Sequence, residues 1–280
     1  MRIAVASGKG GTGKTTVATS LALLLARASS VHFLDCDVEA PNAALFLRPS
    51  LEAKPVMRLV PVVDESLCSH CGECSEVCRF HAIAITKSKA IIFPEICHSC
   101  GGCIRVCTKG AITEVPHTIG EIGEGMAGKI RFTHGMLKAG ETASVSLIRA
   151  VKRTETTAEF VILDSPPGTS CPVVAAVEGA DRVVLVTEPT PFGLHDLRLA
   201  VEMTQHLGLP MGVVINRDGI GDDRVDSFCA SAGIPVIGRI ADDRRVAEYY
   251  SRGESPVFEL STFREEIAAI ASRLTSEVYA

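Results

Sequence analysis

The stretch that decides the fold is residues 2–16, RIAVASGKGGTGKTT. Its first five residues, Arg2–Ala6, predict a buried strand, and apolar residues at helical spacing over Lys14–Arg27 predict a helix. Between them Gly8–Thr15 matches G-x-x-x-x-G-K-[ST], the phosphate-binding loop that joins a strand to a helix. We therefore expect this segment to bind phosphate groups; a glycine-rich turn that binds no ligand is the alternative.

Each part of the loop has a predicted contact with a phosphate-bearing ligand. The glycines allow backbone N–H groups to curve around the phosphates, and the helix N-terminus adds positive electrostatic potential. Lys14 is expected to reach the β- and γ-phosphate oxygens, and the Thr15 hydroxyl is expected to hold Mg²⁺. The predicted ligand-binding residues are Gly10, Gly11, Thr12, Gly13, Lys14, Thr15 and Thr16.

Outside residues 64–113 the chain alternates short β-rich runs with longer helical patterns. This alternation is typical of an α/β fold, with a mostly parallel, doubly wound sheet covered by helices on both faces. The predicted strands are Arg2–Ala6, Val31–Asp35, Phe160–Asp164, Arg182–Thr187, Met211–Asn216 and Pro235–Arg239, with a further strand around Met57–Val63 and a strand and loop over Gly120–Gly140. The predicted helices are Lys14–Arg27, Thr142–Arg153, Pro172–Gly179, Gly193–Leu207, Asp222–Ser231, Arg244–Arg252 and Ser261–Tyr279.

The charge balance disfavours some classes of function. The chain has 28 Lys and Arg against 33 Asp and Glu, a net charge of −5, and no Trp. An acidic chain with few aromatic residues is not expected to bind nucleic acid. The longest apolar run near the start, Leu21–Ala26, is far shorter than the ~18 residues of a spanning helix. No signal peptide is recognisable before Gly8, so we expect a cytoplasmic protein without a membrane anchor.

Eight of the 11 cysteines lie between Cys68 and Cys107, in a repeat of 29 residues. Both copies have the spacing C-x2-C-x2-C-x3-C, which is that of bacterial ferredoxins with two [4Fe–4S] clusters. In a cytosolic protein such thiols are more often metal ligands than disulfides. The predicted domains are residues 1–63, the first part of the main domain; residues 64–113, a small inserted α+β domain of the bacterial-ferredoxin type; and residues 114–280, the second part of the main domain.

Three closely spaced cysteines of one copy are expected to bind one cluster, with the fourth ligand coming from the other copy. One predicted set is Cys68, Cys71, Cys74 and Cys107, and the other is Cys97, Cys100, Cys103 and Cys78. Structural zinc is the alternative, although zinc sites normally use pairs of cysteines. Arg79 and Thr108 stand where ferredoxins usually have proline, so we expect the turns around the clusters to differ. Three nearby histidines are either hydrogen-bond partners of the clusters or surface residues: His70, His81 and His98.

With Lys9 included, residues 9–16, KGGTGKTT, resemble the deviant Walker A motif of the MinD/ParA/Mrp group of ATPases. The resemblance implies that ATP or ADP binds here with Mg²⁺ and that ATP is hydrolysed, with Lys9 and Lys14 as catalytic residues. It also implies a nucleotide-dependent homodimer in which Lys9 crosses the interface to the partner's phosphates; a solvated lysine is the alternative. The expected main domain is therefore a P-loop NTPase sheet.

Further residues extend the resemblance over most of the chain. Asp35-Cys36-Asp37 resembles switch I, which implies that Asp37 contacts the attacking water or water bound to Mg²⁺. Residues 160–168, FVILDSPPG, resemble Walker B and switch II, which implies that Asp164 lies near Mg²⁺ and Gly168 near the γ-phosphate. A helix N-cap is the alternative role for Asp164.

The adenine base also has predicted contacts. Asn216 and Arg217 resemble the adenine-recognition dipeptide of the family, and residues 240–243 resemble the loop that covers the base. The carboxylates of that loop fit a helix start equally well. Cys171 occupies the place of a ligand to a bridging cluster in the nitrogenase iron protein, but without a companion cysteine it is interpreted as a packed or reactive thiol.

Two functions follow from these motifs. The leading hypothesis is an ATP-binding and hydrolysing iron–sulfur protein whose nucleotide state gates electron transfer to, or docking with, a redox partner. The alternative is an ATPase that assembles or carries iron–sulfur clusters for an acceptor protein. A positioning ATPase like MinD or ParA is disfavoured, because the predicted helix Ser261–Tyr279 has three glutamates, including Glu277, against two arginines and is not a basic membrane-binding helix.

Overall fold

The computed structural model describes residues 1–154 and 156–276, and short apolar runs form the central strands of its main sheet. The strands are β1 (Arg2–Ala6), β2 (Val31–Asp35), β3 (Ser50–Val63), β4 (Ile83–Ile85), β5 (Ala90–Ile92), β6 (Ile112–Ala127), β7 (Ile130–Leu137), β8 (Phe160–Asp164), β9 (Arg182–Thr187), β10 (Met211–Asp218) and β11 (Val236–Ala241). The helices are α1 (Lys14–Leu25), α2 (Ala43–Leu47), α3 (Glu73–Val77), α4 (Gly102–Val106), α5 (Ser144–Lys152), α6 (Cys171–Val177), α7 (Pro191–His206), α8 (Arg224–Ala232), α9 (Arg244–Ser251) and α10 (Ser261–Thr275).

The main sheet of the described residues has the strand order β11-β10-β9-β1-β8-β2-β7-β6-β3. Neighbouring strands are parallel from β11 to β7, whereas β6 is antiparallel to both β7 and β3. One face packs on α5, α6, α7 and α8, and the other on α1 and α10. Because both faces are covered, the central strands β2 and β8 are buried along their whole length and are mainly apolar. The predicted α/β fold with a large, mostly parallel sheet is confirmed.

Several element boundaries differ from the prediction. The predicted strand Met57–Val63 begins earlier, at Ser50, and Gly120–Gly140 forms much of a long hairpin rather than strand and loop. The last helix ends at Thr275 and Ser276 is extended, whereas the predicted end at Tyr279 lies outside the described residues. Glu277 lies outside the described residues. Among the described helices, none combines the length and the apolar character that crossing a membrane requires.

Residues between β3 and β6 leave the main sheet and return to it at the same place. Val63 is opposite Ile112 in the antiparallel register, and the Asp64 N–H donates to the Ala111 carbonyl at 2.8 Å. The intervening chain contains α3, α4 and a separate two-stranded sheet, β4–β5. We call residues 64–111 the insertion. Its two ends are neighbours, so it can be added to the hairpin without breaking the sheet.

The 29-residue repeat is also a repeat of backbone conformation. Gly72 and Gly101, which precede α3 and α4, both have positive φ, at 90° and 69°. His70 and Ser99, two residues earlier in each copy, are also left-handed, at 54° and 52°. Each copy thus turns sharply between its first and third cysteines, which brings those cysteines around one space.

Candidate functional site

The predicted phosphate loop connects β1 to α1 and is held from two sides. The Gly168 N–H donates to the Ser7 carbonyl at 3.0 Å, and Asn216 Nδ2 donates to the Thr12 carbonyl at 2.7 Å. Gly13 has a φ of 91°, and a Cβ atom at this position would collide with the side-chain nitrogen of Asn216. Glycine is therefore required at position 13 by both conformation and space.

A pair of carboxylates ends neighbouring strands beside this loop. Asp35 and Asp164 are directly opposite each other on β2 and β8, and both are fully buried. Asp35 accepts hydrogen bonds from the N–H groups of Asp37 and Ala43, each at 3.1 Å. Burial, together with the negative charge of Asp164, raises the pKa of Asp35 well above its usual range. Asp35 therefore shapes the segment that carries Asp37.

Asp164 is as deeply buried as Asp35 but differs from it in hydrogen bonding. Neither of its oxygens meets hydrogen-bond geometry with a donor of the described residues, although the Thr15 hydroxyl lies close enough to lower its pKa. Burial raises its pKa to about 6, and the nearby ammonium of Lys14 opposes that rise. The buried carboxylate of Asp164 and the Thr15 hydroxyl supply oxygen atoms of the kind that Mg²⁺ prefers as ligands. The residues present thus fit a magnesium ion.

Asp37 shares this electrostatic environment. Its side chain is partly buried, and burial raises its pKa, while the charge of Lys14 again acts in the opposite direction. The structure therefore brings Lys14, Thr15, Asp37 and Asp164 together at the carboxyl edge of the parallel strands. At this edge of an open α/β sheet, ligands usually bind.

Glu188, which the sequence analysis did not single out, binds two of the predicted site residues. Its Oε2 lies 3.4 Å from Lys9 Nζ, and its Oε1 lies 2.8 Å from Arg217 Nη1. Glu188 directly follows β9, so a carboxylate ending an apolar strand, the pattern that identified Asp164, also identifies Glu188. The two residues predicted to read adenine, Asn216 and Arg217, thus lie beside the phosphate loop and contact protein groups there.

The loop predicted to cover the base has a local structural role. Asp243 is the N-cap of α9, and its Oδ1 accepts a hydrogen bond from the Arg245 N–H at 2.9 Å. The Asp242 N–H donates to the Asp218 carbonyl at 3.0 Å. For Asp243, the helix-start interpretation is therefore the one that the structure shows.

Two cavities lined by cysteines lie between the insertion and the adjoining residues of β3 and β6. The first has about 400 Å³ of empty space, counting its open mouth, and the second has about 420 Å³. Each is lined by three cysteines of one copy of the repeat and the last cysteine of the other. The first set is Cys68, Cys71, Cys74 and Cys107, and the second is Cys78, Cys97, Cys100 and Cys103. The remaining walls are mostly apolar, with valine, isoleucine and alanine side chains.

Backbone N–H groups point at the sulfur atoms in a repeated pattern. The Ala82 N–H donates to Cys78 Sγ, and the Ala111 N–H donates to Cys107 Sγ, both at 3.3 Å. Burial raises the pKa of the Cys103 thiol to about 11, so binding of a cation there must displace a proton. Four cysteines per apolar cavity, with N–H donors to sulfur, fit a [4Fe–4S] cluster.

Of the three nearby histidines, His70 lines the first cavity and His98 lines the second, whereas His81 is exposed. His70 Nε2 lies 2.9 Å from Glu65 Oε2, and the ring of His98 stacks on Phe80 with 3.5 Å between ring centroids. His81 has a left-handed backbone conformation, with φ of 52°. Cys171 is exposed at the first residue of α6 and lies outside both cavities.

Comparison with known proteins decides the family. The model of the CobQ/CobB/MinD/ParA nucleotide binding domain matches residues 3–257. The chain belongs to this family. It is 31% identical over 280 residues to the uncharacterized protein MJ0579 of Methanocaldococcus jannaschii, with 96% of each chain covered.

Two further comparisons concern function and fold. The iron-sulfur cluster carrier protein of Synechocystis is 25% identical over 295 residues, covering 99% of this chain and 70% of the carrier. The septum site-determining protein MinD of Pyrococcus horikoshii, solved with Mg-ADP, superposes with a TM-score of 0.59 at 18% identity, covering 100% of this chain and 98% of MinD. The likeness to MinD shows the fold alone.

Proposed function

We propose that this chain is an ATP-binding and ATP-hydrolysing iron–sulfur protein with one [4Fe–4S] cluster in each cavity of the insertion. The observation that carries this proposal is that four cysteines from both copies of the repeat line each cavity. The same chain has a phosphate loop beside the unpartnered, buried Asp164. The proposed domains are a nucleotide-binding domain, residues 1–63 and 114–280, and a two-cluster domain, residues 64–113.

The residues of the nucleotide site act in this proposal through their positions and charges. Lys14 binds the β- and γ-phosphate oxygens, Thr15 and Asp164 hold Mg²⁺, and Asp37 orients the attacking water. Bound Mg²⁺ neutralises charge that develops on the phosphates. Phosphoryl transfer to water needs no protein nucleophile, so these contacts suffice for slow hydrolysis.

In this proposal, Lys9 contacts the phosphates of the nucleotide that a partner subunit binds. Its ammonium is partly exposed and is held by Glu188, so it is available to a second copy only after that ion pair breaks. Hydrolysis would then accelerate when two nucleotide-bound chains form a homodimer. Such a dependence makes the protein a switch rather than a continuously active hydrolase.

The relatives favour delivery of a cluster to an acceptor protein. The Synechocystis relative is named an iron-sulfur cluster carrier protein, and it aligns with 99% of this chain. By this proposal, ATP binding and hydrolysis drive assembly or transfer of a cluster. This is the function that the comparisons support best.

Nucleotide-gated electron transfer to a redox partner is the second candidate, and the insertion favours it. A complete set of four cysteines leaves no iron coordination position open, which is the ligation of retained electron-transfer clusters. The two quartets have that composition. The two candidates therefore differ in whether the clusters leave the protein.

One anaerobic experiment tests the proposal and separates the candidates. Purified protein should contain about eight iron and eight sulfide per chain. Incubation with Mg-ATP and an apo-ferredoxin should move iron to the acceptor if the protein is a carrier and leave it in place if the clusters transfer electrons. Cys103→Ser should lower the iron content, whereas Cys171→Ser, the exposed cysteine outside the cavities, should not. Zinc in place of iron, or absence of nucleotide binding, would refute the proposal.

A further inference from the structure

Three side chains that neither site uses meet near the base of the insertion. Glu141, in the loop between β7 and α5, has a side chain that is 2% exposed. Its Oε2 lies 3.1 Å from Arg58 Nη2, and its Oε1 lies 2.6 Å from His117 Nε2. Arg58 on β3 and His117 on β6 are opposite each other in register. A buried carboxylate with both oxygens engaged fixes the loop against the two strands that lead into the insertion.

Arg58 also holds the segment that leads into the second cavity. Its Nη2 lies within hydrogen-bond distance of the carbonyl oxygens of Pro94, at 2.9 Å, and Glu95, at 3.0 Å. The Thr142 hydroxyl donates to the same Glu95 carbonyl at 2.8 Å. The Cys97 N–H donates in turn to the Pro94 carbonyl at 3.2 Å. The backbone of Cys97 is thus tied to the main sheet.

The same loop is tied to the segment that resembles switch I. Val38 directly follows Asp37, and its carbonyl accepts a hydrogen bond from the Leu137 N–H at 2.8 Å. The Glu141 N–H donates to the Lys138 carbonyl at 3.1 Å, one residue beyond Leu137. A displacement of Asp37 around a γ-phosphate therefore acts on the loop that carries Glu141.

Within the described residues, the first copy of the repeat has no such side-chain contact; the Cys68 N–H donates to the Asp64 carbonyl at 3.1 Å, a backbone hydrogen bond at the end of the β3–β6 hairpin. Glu65 and Ser66 occupy the equivalent positions, 29 residues earlier. Ser66 Oγ donates to Asp64 Oδ1 at 2.6 Å, and Glu65 Oε1 accepts from the Ala90 N–H at 2.9 Å. These side-chain hydrogen bonds stay within the insertion. The connection to the nucleotide domain is therefore asymmetric.

Arg58 has a feature that suits a switching contact. Its Nε is buried without a hydrogen-bond partner among the described residues. Satisfying Nε requires a different orientation of the guanidinium. Coupling between sites requires an element with two discrete arrangements that both sites bias.

We infer that the Arg58–Glu141 contact, assisted by Thr142, couples the nucleotide site to the second cavity (Cys78, Cys97, Cys100 and Cys103) and not to the first. The inference rests on the proposed function, because it requires both a nucleotide and clusters. Arg58 and Glu141 are positioning residues: they act through Pro94 and Glu95. The consequence is that nucleotide binding alters one cluster and leaves the other unchanged.

Hydrogen exchange on the full, cluster-loaded chain tests this inference. Exchange is measured under anaerobic conditions with and without Mg²⁺ and a non-hydrolysable ATP analogue. In the wild type, the nucleotide should change exchange over residues 94–103 by about fivefold or more and leave residues 65–74 unchanged. In Glu141→Gln the change over 94–103 should fall below about twofold, while iron content and analogue affinity stay at wild-type values.

Two further variants control for loss of folding. Thr142→Val removes one hydrogen bond at the exposed end of the contact, keeps the buried pair, and should reduce the response partly. Glu124→Gln breaks the Arg131–Glu124 ion pair between β6 and β7 and should keep the full response. The midpoint potential of one cluster should shift with nucleotide in the wild type and Glu124→Gln, and not in Glu141→Gln.

The outcomes separate the inference from the proposed function. A wild-type protein that lacks iron or does not bind nucleotide refutes both. A loaded, nucleotide-binding wild type whose residues 94–103 do not respond refutes the inference alone. A full response in Glu141→Gln and Thr142→Val, or an equal response over residues 65–74, also overturns it.

Discussion

The carboxylate of Glu188 lies 3.4 Å from the ammonium of Lys9, within one chain and beside the phosphate loop. Glu188 is buried, and its other oxygen lies 2.8 Å from Arg217. For Lys9 to reach phosphates bound by a partner subunit, it must first leave Glu188. The ion pair within the chain therefore competes with the proposed contact between chains.

Glu188→Gln should strengthen nucleotide-dependent dimerisation. Lys9 is partly exposed, and an ion pair of this kind contributes at most about 1 kcal/mol; because a symmetric homodimer breaks two of them, the dimer dissociation constant should fall up to about thirtyfold. Sedimentation with a non-hydrolysable ATP analogue measures this constant. Glu254→Gln, which breaks the exposed pair with Arg252, should leave it unchanged. Weaker dimerisation of Glu188→Gln would contradict the competition.

Lys9→Ala should lower ATP turnover by about 100-fold or more at concentrations where the wild type dimerises, because a cation supplied from the partner neutralises developing phosphate charge. Nucleotide binding to the single chain should persist, since Lys14 remains. Steady-state hydrolysis and nucleotide titration measure the two effects. Wild-type turnover together with wild-type dimerisation would remove Lys9 from the mechanism.

Asp164→Asn should stabilise the nucleotide-free protein and abolish the dependence of ATP binding on Mg²⁺. The buried carboxylate has no hydrogen-bond partner among the described residues, so its charge is costly at neutral pH. The melting temperature at pH 7.5 should rise by about 3 °C or more. Thermal unfolding with and without Mg-ATP provides the measurement, and a lower melting temperature without nucleotide would contradict this account.

The stability gained by Asp164→Asn should depend on pH, because burial raises the pKa of Asp164 to about 6 from the ordinary 3.8. The folded protein keeps this proton where the unfolded chain has lost it, so the stability linked to Asp164 is lost as pH rises through about 6. The advantage of Asp164→Asn should therefore be large at pH 7.5 and nearly absent at pH 4. An equal advantage at both values would show that ionisation is not the cause.

Pairs of cysteine substitutions should reveal which cysteines share a cluster. Cys68→Ser should leave about four iron per chain, and adding Cys107→Ser should cause no further loss, because both line the first cavity. Adding Cys78→Ser instead should remove nearly all iron, since Cys78 lines the second cavity. Iron analysis after anaerobic purification is sufficient. If the first double variant lost both clusters, the ligand sets would be those of the separate copies.

The sequence predicts the centre of the fold well. The bounds of β1, β2, β8 and β9 agree with prediction because each is a short, mainly apolar run that is buried on both faces. The length of the β3–β6 hairpin is not predicted, because much of the hairpin is exposed and contains glycine and proline. Its pairing comes from the neighbouring strand rather than from a hydrophobic pattern.

Side chains that depend on tertiary contacts were not predicted. Arg58 and Glu141 are 83 residues apart, and neither belongs to a local motif. Asn216 was predicted from a dipeptide, but its contact with the Thr12 carbonyl depends on the approach of β10 to the phosphate loop. Spacing within a segment predicts ligands of one loop, whereas contacts between distant segments require the three-dimensional fold.

Because Val63 and Ile112 are adjacent, the insertion and the rest of the chain can be studied separately. A two-residue turn can join neighbouring antiparallel strands, so excision of residues 64–111 would shorten the hairpin without severing it. The product would be a minimal relative that keeps the phosphate loop and has lost every cavity cysteine. The same geometry would allow the excised segment to be grafted onto an unrelated hairpin.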